Sequence, residues 1–151
     1  MSREFRHACP ADVAALAFLD AAVNFNPWSE RQFAVVCAGA SGDAVSTVVV
    51  EEEGRLDGFI VFSQVLDEAS IHNIAVAAAH QGKGLGRQLL QAALAQMKGS
   101  GATRCLLEVR ESNTAARQLY AGNGFQLDGV RKNYYPSEGG REDALLMSRE
   151  L

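Results

Sequence analysis

The amino-acid sequence predicts an α+β or mixed α/β protein, with one β-sheet and helices on both of its faces. First, three runs rich in β-branched and aromatic residues, separated only by turns, occupy residues 45–76. Second, apolar residues recur at helical spacing over residues 84–98, so a helix should pack its apolar stripe on that sheet. Third, another strand, a helix and two more strands follow. The length of 151 residues suits one domain, residues 1–151.

The first third of the chain predicts one strand and two helices. Glu4 to Ala8 form the first strand. Pro10 then opens a helix at Ala11 to Val23, because proline is tolerated in a first turn, where the N–H lacks a helical partner. A second helix spans Ser29 to Cys37, with Ser29 as its N-cap. The loop between the helices, residues 24–28, holds a proline and the only tryptophan.

The middle third predicts three antiparallel strands, because only short charged turns separate them. These strands are Val45 to Glu51, Leu56 to Val65 and Ala69 to Val76. The central helix follows over Gly84 to Lys98, and glycines at 99 and 101 end it.

The last third predicts a strand, a helix and two strands. Thr103 to Arg110 is the strand, and either Ser112 or Asn113 caps a helix that runs to about Ala121. Asn123-Gly124 supplies a stop with positive φ. The two remaining strands are Phe125 to Arg131 and Asp143 to Ser148.

Composition and charge exclude several classes of protein. The chain is 48% hydrophobic and 21% charged, which is typical of a folded protein. Its net charge of −4 and lack of a basic run predict no nucleic-acid partner and no anionic membrane partner. The apolar runs are too short to span a bilayer, and charges interrupt the N-terminus where a signal peptide would be apolar. We expect a cytoplasmic protein and a monomer.

The cysteines and histidines predict neither a disulfide framework nor a metal site. Cys9, Cys37 and Cys105 are odd in number and widely spaced, so we expect buried free thiols. The histidines lack the close grouping that zinc requires. Cys105 is also a poor nucleophile candidate, because it lies in an apolar strand without a positioned base.

A glycine-rich loop, Gln81-Gly82-Lys83-Gly84-Leu85-Gly86, precedes the central helix. Glycines let successive N–H groups turn toward one point, and the helix N-terminus adds partial positive charge, so the loop suits a pyrophosphate. Glycines also occur in ordinary strand-to-helix turns, and the residues alone leave both interpretations open. The spacing excludes the dinucleotide fingerprint, which needs a glycine where Arg87 stands, and also the P-loop.

Two side chains with ionisable groups stand among apolar neighbours, and Glu108 is a candidate for proton transfer. Glu108 lies in a strand with apolar neighbours, where a buried charge is costly unless it is paired or useful; alternatively it lies on a solvated edge. Tyr120 stands next to Leu119 in a predicted helix, a position more typical of core packing. The aromatic residues of loop 24–28 and the pair at 134–135 could pack a core or wall a groove.

Gln81-x-x-Gly84-x-Gly86 resembles the Q/R-x-x-G-x-G/A signature of the GNAT superfamily of N-acetyltransferases. The resemblance implies a GNAT fold: a central, mixed, mostly antiparallel twisted sheet of about seven strands with helices on both faces. It also implies acetyl-CoA as cosubstrate, with its pyrophosphate in the loop and no metal. The cofactor-binding residues implied by this likeness are Ile74, Ala75, Val76, Gly82, Lys83, Gly84, Leu85, Gly86, Arg87 and Asn113.

Within the superfamily, the chain is similar to the bacterial ribosomal-protein-alanine N-acetyltransferases of the RimI type over nearly its whole length. Four segments carry this likeness: residues 26–29 with Phe33; 72–76; 107–110 with 112–113 and 119–120; and 133–136 with 142–144. The likeness implies that Glu108 is the general base, acting directly or through water, and that Tyr120 is the general acid that protonates the CoA thiolate. The substrate-binding residues that it implies are Phe25, Pro27, Trp28, Tyr134 and Tyr135.

The implied reaction is transfer of acetyl to the N-terminal alanine α-amine of a small-subunit ribosomal protein, by direct attack in a ternary complex. We expect the acidic side chains near the groove to attract a basic peptide; they are Glu30, Glu108, Glu142 and Asp143. Two alternatives stay open. One is an acetyltransferase acting on lysine side chains or other protein N-termini, and the other is a non-catalytic acetyl-CoA-binding module.

Overall fold

The computed structural model describes residues 3–38 and 44–151. Its strands are β1 (Glu4–His7), β2 (Ala44–Glu52), β3 (Arg55–Val65), β4 (Glu68–Val76), β5 (Arg104–Arg110), β6 (Gln126–Ser137) and β7 (Gly140–Glu150). They form one seven-stranded sheet in the order β1-β2-β3-β4-β5-β7-β6. Only β4 and β5 pair in parallel, and every other neighbouring pair is antiparallel. The predicted mixed, mostly antiparallel sheet is confirmed.

In the part of the chain that the structure describes, four helices cover the two faces of the sheet, as predicted. They are α1 (Val13–Val23), α2 (Glu30–Cys37), α3 (Leu85–Gly99) and α4 (Thr114–Gly122). Buried residues of α1 and α2, such as Leu16 and Phe33, pack with Phe59 of β3 on one face. Buried residues of α3 and α4, such as Leu89 and Tyr120, form a second core on the other face. Within residues 3–38 and 44–151, no helix is long and apolar enough to cross a membrane.

Local side-chain bonds explain where the helices begin. The Ser29 hydroxyl accepts a bond from the Gln32 N–H at 3.2 Å, so Ser29 caps α2 as predicted. Of the two candidates before α4, the structure selects Asn113, whose side chain accepts from the Ala116 N–H at 3.2 Å. The first predicted helix differs at its start, because Pro10–Asp12 form a 3-10 turn and the α-helix begins only at Val13.

The final hairpin is longer than predicted. We expected strands over 125–131 and 143–148, whereas β6 runs to Ser137 and β7 begins at Gly140. The reason is a bulge between Arg131 and Tyr135, where Asn133 adopts a φ of +53°. This bulge interrupts the alternation of side chains by which a strand is recognised in sequence.

The two parallel strands separate soon after they meet. β4 and β5 pair only between Glu68–Ile71 and Arg104–Leu107. The register of β4 against β3 shifts between Ile71 and Asn73, which leaves His72 as the extra residue of a β-bulge. A bulge bends its strand and increases the local twist, so β4 continues along β3 and leaves β5. The sheet therefore contains a gap between residues 73–76 of β4 and the end of β5.

Candidate active site

The β4 edge that faces this gap carries the backbone polar groups of Ile74 and Val76. The Ala77 N–H donates to the Asp57 carbonyl of β3 at 2.8 Å, so the backbone of Ala77 points away from the gap. Alternation along the strand places Ala75 on the β3 side as well, and turns Ile74 and Val76 toward the gap. The Val76 carbonyl accepts a bond from the Gln81 amide at 2.9 Å. The gap-facing N–H groups can therefore bind an extended ligand or a developing oxyanion.

The glycine-rich loop forms the N-terminal end of α3. Gly82 and Gly84 have φ values of +75° and +81°, a region that favours glycine. Among the described residues no side chain caps α3, and its first turn contains no acidic residue. Free N–H groups and the positive end of the helix dipole therefore meet at one point, which suits an anion such as a phosphate. Leu85 is buried and anchors the loop, while Lys83 and Arg87 are exposed.

The loop lies against both the gap and α4. A Cβ built on Gly86 would lie 3.5 Å from the Leu119 side chain of α4 and 3.7 Å from the Val76 side chain of β4. Asn113 uses its side-chain oxygen to cap α4, which leaves its amide N–H groups for a ligand. The predicted cofactor residues on β4, α3 and α4 thus converge at one end of the gap.

Glu108 and Tyr120 lie on opposite faces of the sheet. Tyr120 is 4% exposed and belongs to the same buried cluster as Leu107 and Val109. Side chains alternate along a strand, so Glu108 points to the other face. Glu108 is also the first residue of β5 beyond the last position paired with β4. Glu108 therefore lies beside the gap, on the face opposite Tyr120.

Burial controls the protonation of Tyr120. It raises the pKa of the tyrosine hydroxyl well above its ordinary value of 10.0, and the nearby Cys105 thiol acts in the same direction. The hydroxyl therefore keeps its proton at neutral pH and can donate it. Burial also raises the pKa of Cys105 to about 12, so this thiol stays neutral.

Glu108 occupies a solvated position. Its side chain is 33% exposed, and the Arg131 guanidinium lies 3.6 Å from one carboxylate oxygen. Of the two interpretations of Glu108, the structure supports the carboxylate on a solvated edge and not the buried charge. Its role as a base stays a prediction.

Arg110 joins two segments on the same face as Glu108. Its guanidinium lies 4.8 Å from the centre of the Phe25 ring and 4.4 Å from that of Tyr135. It also donates to the Pro136 carbonyl and to the Glu142 carboxylate, both at 2.8 Å. Loop 24–28 and the β6–β7 hairpin therefore form one wall beside the gap. Sequence reasoning missed this role, and the only local signal was an arginine two residues from Glu108.

The predicted substrate-binding residues divide into two groups. Phe25 is 62% exposed, and Tyr134, 42% exposed, stacks edge-on against Tyr135 with 5.0 Å between ring centroids. These three rings line the wall. Trp28 instead packs its ring against Phe33 at 5.3 Å, as part of the core below α1 and α2. Pro27 is exposed in the same loop.

Basic side chains pair with most of the acidic side chains near the gap. Arg110 bonds Glu142 and holds the pKa of that carboxyl below its usual value. The bond from the Asn133 N–H, and to a smaller extent Lys132, lower the pKa of the Asp143 carboxyl. Because these charges are balanced locally, their attraction for a basic peptide is weaker than the count of acidic residues implies.

The chain is similar to known proteins in sequence and in fold. Residues 13–125 match the acetyltransferase (GNAT) family. The chain is 37% identical over 137 residues to the [ribosomal protein bS18]-alanine N-acetyltransferase of Escherichia coli K12, covering 91% of this chain and 90% of the relative. The crystal structure of the ribosomal-protein-S18-alanine N-acetyltransferase from E. coli superposes with a TM-score of 0.90 at 34% identity, covering 99% of this chain and 94% of the other. An N-acetyltransferase from Thermoplasma acidophilum in complex with coenzyme A shares the fold, with a TM-score of 0.82, 18% identity and full coverage of both chains, 100% each.

Proposed function

The chain belongs to the GNAT family of acetyltransferases and, within it, to the ribosomal-protein-alanine N-acetyltransferases, and we propose that it acetylates the N-terminal alanine α-amine of a small-subunit ribosomal protein. One observation carries this proposal. Beside the gap between β4 and β5, Glu108 and an aromatic wall lie on one face of the sheet, and the buried cluster that contains Tyr120 lies on the other. A donor and an acceptor can thus enter from opposite faces and meet inside the gap.

We propose that acetyl-CoA binds on the α3 and α4 face. The N–H groups of residues 82–87 would hold its pyrophosphate, and the gap-facing groups of Ile74 and Val76 would pair with its pantetheine arm. The buried Ala75 supports this edge from behind, and Asn113 lies at the start of α4, next to the loop. Bound acetyl-CoA supplies a thioester, which is an acyl group activated for attack by an amine.

The proposed proton transfers use one side chain on each face. The Glu108 carboxylate accepts a proton from the α-ammonium group of the peptide, directly or through water. The N–H groups of Ile74 and Val76 face the position where negative charge develops on the acyl oxygen. The Tyr120 hydroxyl then donates its proton to the departing sulfur. The attacking nitrogen still carries one proton more than the amide product, and it releases that proton through water to the tyrosinate. No residue of the chain becomes acetylated in this scheme.

We place the peptide N-terminus against the wall formed by Phe25, Tyr134 and Tyr135, with Pro27 and Trp28 shaping the loop beneath. This wall is on the Glu108 face, so the α-amine reaches the carboxylate without crossing the sheet. We propose one acetyltransferase domain acting in the cytoplasm, where ribosomal proteins are made. The E. coli relative acts on ribosomal protein bS18, which suggests that protein as the first substrate to try.

Mass spectrometry of a basic peptide that begins with alanine tests the proposal. We expect one acetyl group on the α-amine with the wild-type protein, and a loss of rate of about 10²-fold or more with Glu108→Gln. Glu111→Gln is the matched control, because it removes the same charge from an exposed residue just beyond the same strand and should retain activity. Equal rates for the two variants would remove Glu108 from the mechanism.

Two alternatives make different predictions in the same assay. An acetyltransferase for lysine side chains would modify internal lysines and leave the α-amine free. A non-catalytic module would bind acetyl-CoA and transfer acetyl to no amine.

A further inference from the structure

Asp20 is a fully buried carboxylate in the last turn of α1, with 0% exposure. Burial removes its hydration, and none of the ion pairs in the described part of the chain includes it. Its position near the C-terminal end of a helix also sets its charge against the negative end of the helix dipole. Both its burial and its position in the helix are therefore unfavourable for a carboxylate, and a residue with such features is a candidate for a functional role.

Three hydrogen bonds compensate this charge, two from loop 24–28 and one from β4. One oxygen of Asp20 accepts from the Asn24 amide at the end of α1. The other oxygen accepts from the Trp28 N–H at 2.8 Å and from the Asn73 amide of β4 at 2.9 Å. The Asn24 amide also lies 3.5 Å from the carbonyl of Ile74, the residue whose backbone faces the gap.

We propose that Asp20 is a positioning residue for the acceptor side of the active site. It fixes loop 24–28, which carries Phe25, to β4 at the point where this strand leaves β5. The inference rests on the proposed function, since it is the peptide that meets this loop. A carboxylate presents an acceptor oxygen to both sides of this network, whereas an asparagine has one acceptor oxygen and would turn its NH2 group toward at least one of the three donors.

Asp20→Asn tests the proposal against a matched variant, Asp12→Asn. Asp12 is also a buried carboxylate, 8% exposed, which accepts bonds from Arg6 and from the Cys9 N–H before the opposite end of α1. We expect Asp20→Asn to lower kcat/KM for the alanine peptide by about tenfold or more, with coenzyme A affinity within about twofold of wild type. Asp12→Asn should lower the thermal midpoint but keep kcat/KM within about twofold.

Trp28 gives a second readout that needs no turnover, because it is the only tryptophan. Loss of the bond to its N–H should release the loop, so Asp20→Asn should shift the fluorescence emission to the red and increase quenching by acrylamide. Asp12→Asn should match wild type. If the wild-type protein acetylated no α-amine, the proposed function would fail. The fluorescence comparison would still test whether Asp20 fixes the position of loop 24–28.

The proposal is overturned if Asp20→Asn has a kcat/KM within about twofold of wild type and if acrylamide quenches its Trp28 no more than in wild type. It is also overturned if Asp12→Asn lowers kcat/KM as much as Asp20→Asn does. Should Asp20→Asn fail to fold, Asn24→Ala removes a single donor from the network. That variant should lower kcat/KM by about threefold or more, and an unchanged kcat/KM with unchanged quenching would equally overturn the proposal.

Discussion

Replacing Tyr120 with phenylalanine tests whether the buried hydroxyl takes part in acetyl transfer. The substitution removes one oxygen and keeps a ring that is 4% exposed and 5.7 Å from the Phe125 ring, measured between centroids. Because burial raises the pKa of Tyr120 above its ordinary value, the hydroxyl remains protonated throughout the neutral range. At any assay pH near 7 the side chain is therefore in the protonated form that a general acid requires.

The expected effects on rate and on stability differ in size. A positioned general acid contributes about 10² to 10⁴-fold to a rate, which corresponds to about 2.7–5.4 kcal/mol in activation free energy. The free energy of unfolding should change by less than about 1.5 kcal/mol, because the phenyl ring fills the same space. Tyr120→Ala would instead leave a cavity and cost about 3–5 kcal/mol of stability. Comparing the two variants separates chemistry from packing.

The assay is steady-state acetylation of the alanine peptide at saturating acetyl-CoA, with thermal denaturation and coenzyme A binding measured alongside. We expect Tyr120→Phe to lower kcat by about 10² to 10⁴-fold while both other quantities stay near wild type. A kcat within about threefold of wild type would refute the reasoning, because the hydroxyl would then supply no more than packing.

Three further predictions concern the stability of the fold and the glycine-rich loop. Burial raises the pKa of Cys105 from 9.0 to about 12. The neutral thiol therefore contributes its full stabilisation below about pH 9, and this stabilisation is lost as the pH rises toward 12. Cys105→Ala should make the free energy of unfolding less dependent on alkaline pH and should leave acetyl transfer unchanged. The hydrogen bond from Arg6 lowers the pKa of Asp12 to about 2. The Asp12 carboxylate therefore stabilises the fold above about pH 4, and this stabilisation is lost as the pH falls toward 2. Asp12→Asn should lower the free energy of unfolding by about 2 kcal/mol in a urea titration at pH 7 and make it less dependent on acidic pH. Gly84→Ala places alanine at a φ of +81°, where the added Cβ has no neighbouring atom within 4 Å, so the backbone strain alone should cost about 1–2 kcal/mol and weaken coenzyme A binding by about tenfold in calorimetry. Gly99→Ala, at the last residue of α3, should instead stabilise by up to about 1 kcal/mol.

The sequence predicts well the parts of the fold that depend on local periodicity. Runs of β-branched and aromatic residues between turns located the strands of the central sheet. The stripe that includes Leu89, Leu90 and Met97 located α3, and all three side chains are buried. The β6–β7 hairpin was predicted too short, because the positive φ of Asn133 and its bulge break the alternation. A bulge of this kind is stabilised by partners elsewhere in the chain, such as the Asp143 carboxylate that accepts from the Asn133 N–H.

The site was predictable where its parts are contiguous in sequence and not where they are brought together by the fold. The glycine loop lies at the start of α3 as expected, because strand, loop and helix follow one another directly. The placement of Arg110 between Phe25 and Tyr135 depends on residues far apart in the chain, and no local pattern indicates it. Asp20 did carry a local signal, since an acidic residue near the end of an apolar helix is unfavourable there.

The most direct test of the central claim uses one peptide that begins with alanine and contains internal lysines, incubated with acetyl-CoA and the wild-type protein. Fragmentation in the mass spectrometer then locates each acetyl group. We predict a single acetyl group on the alanine α-amine and unmodified lysines. Acetylation of the lysines with a free α-amine, or binding of acetyl-CoA without any transfer, would contradict the account.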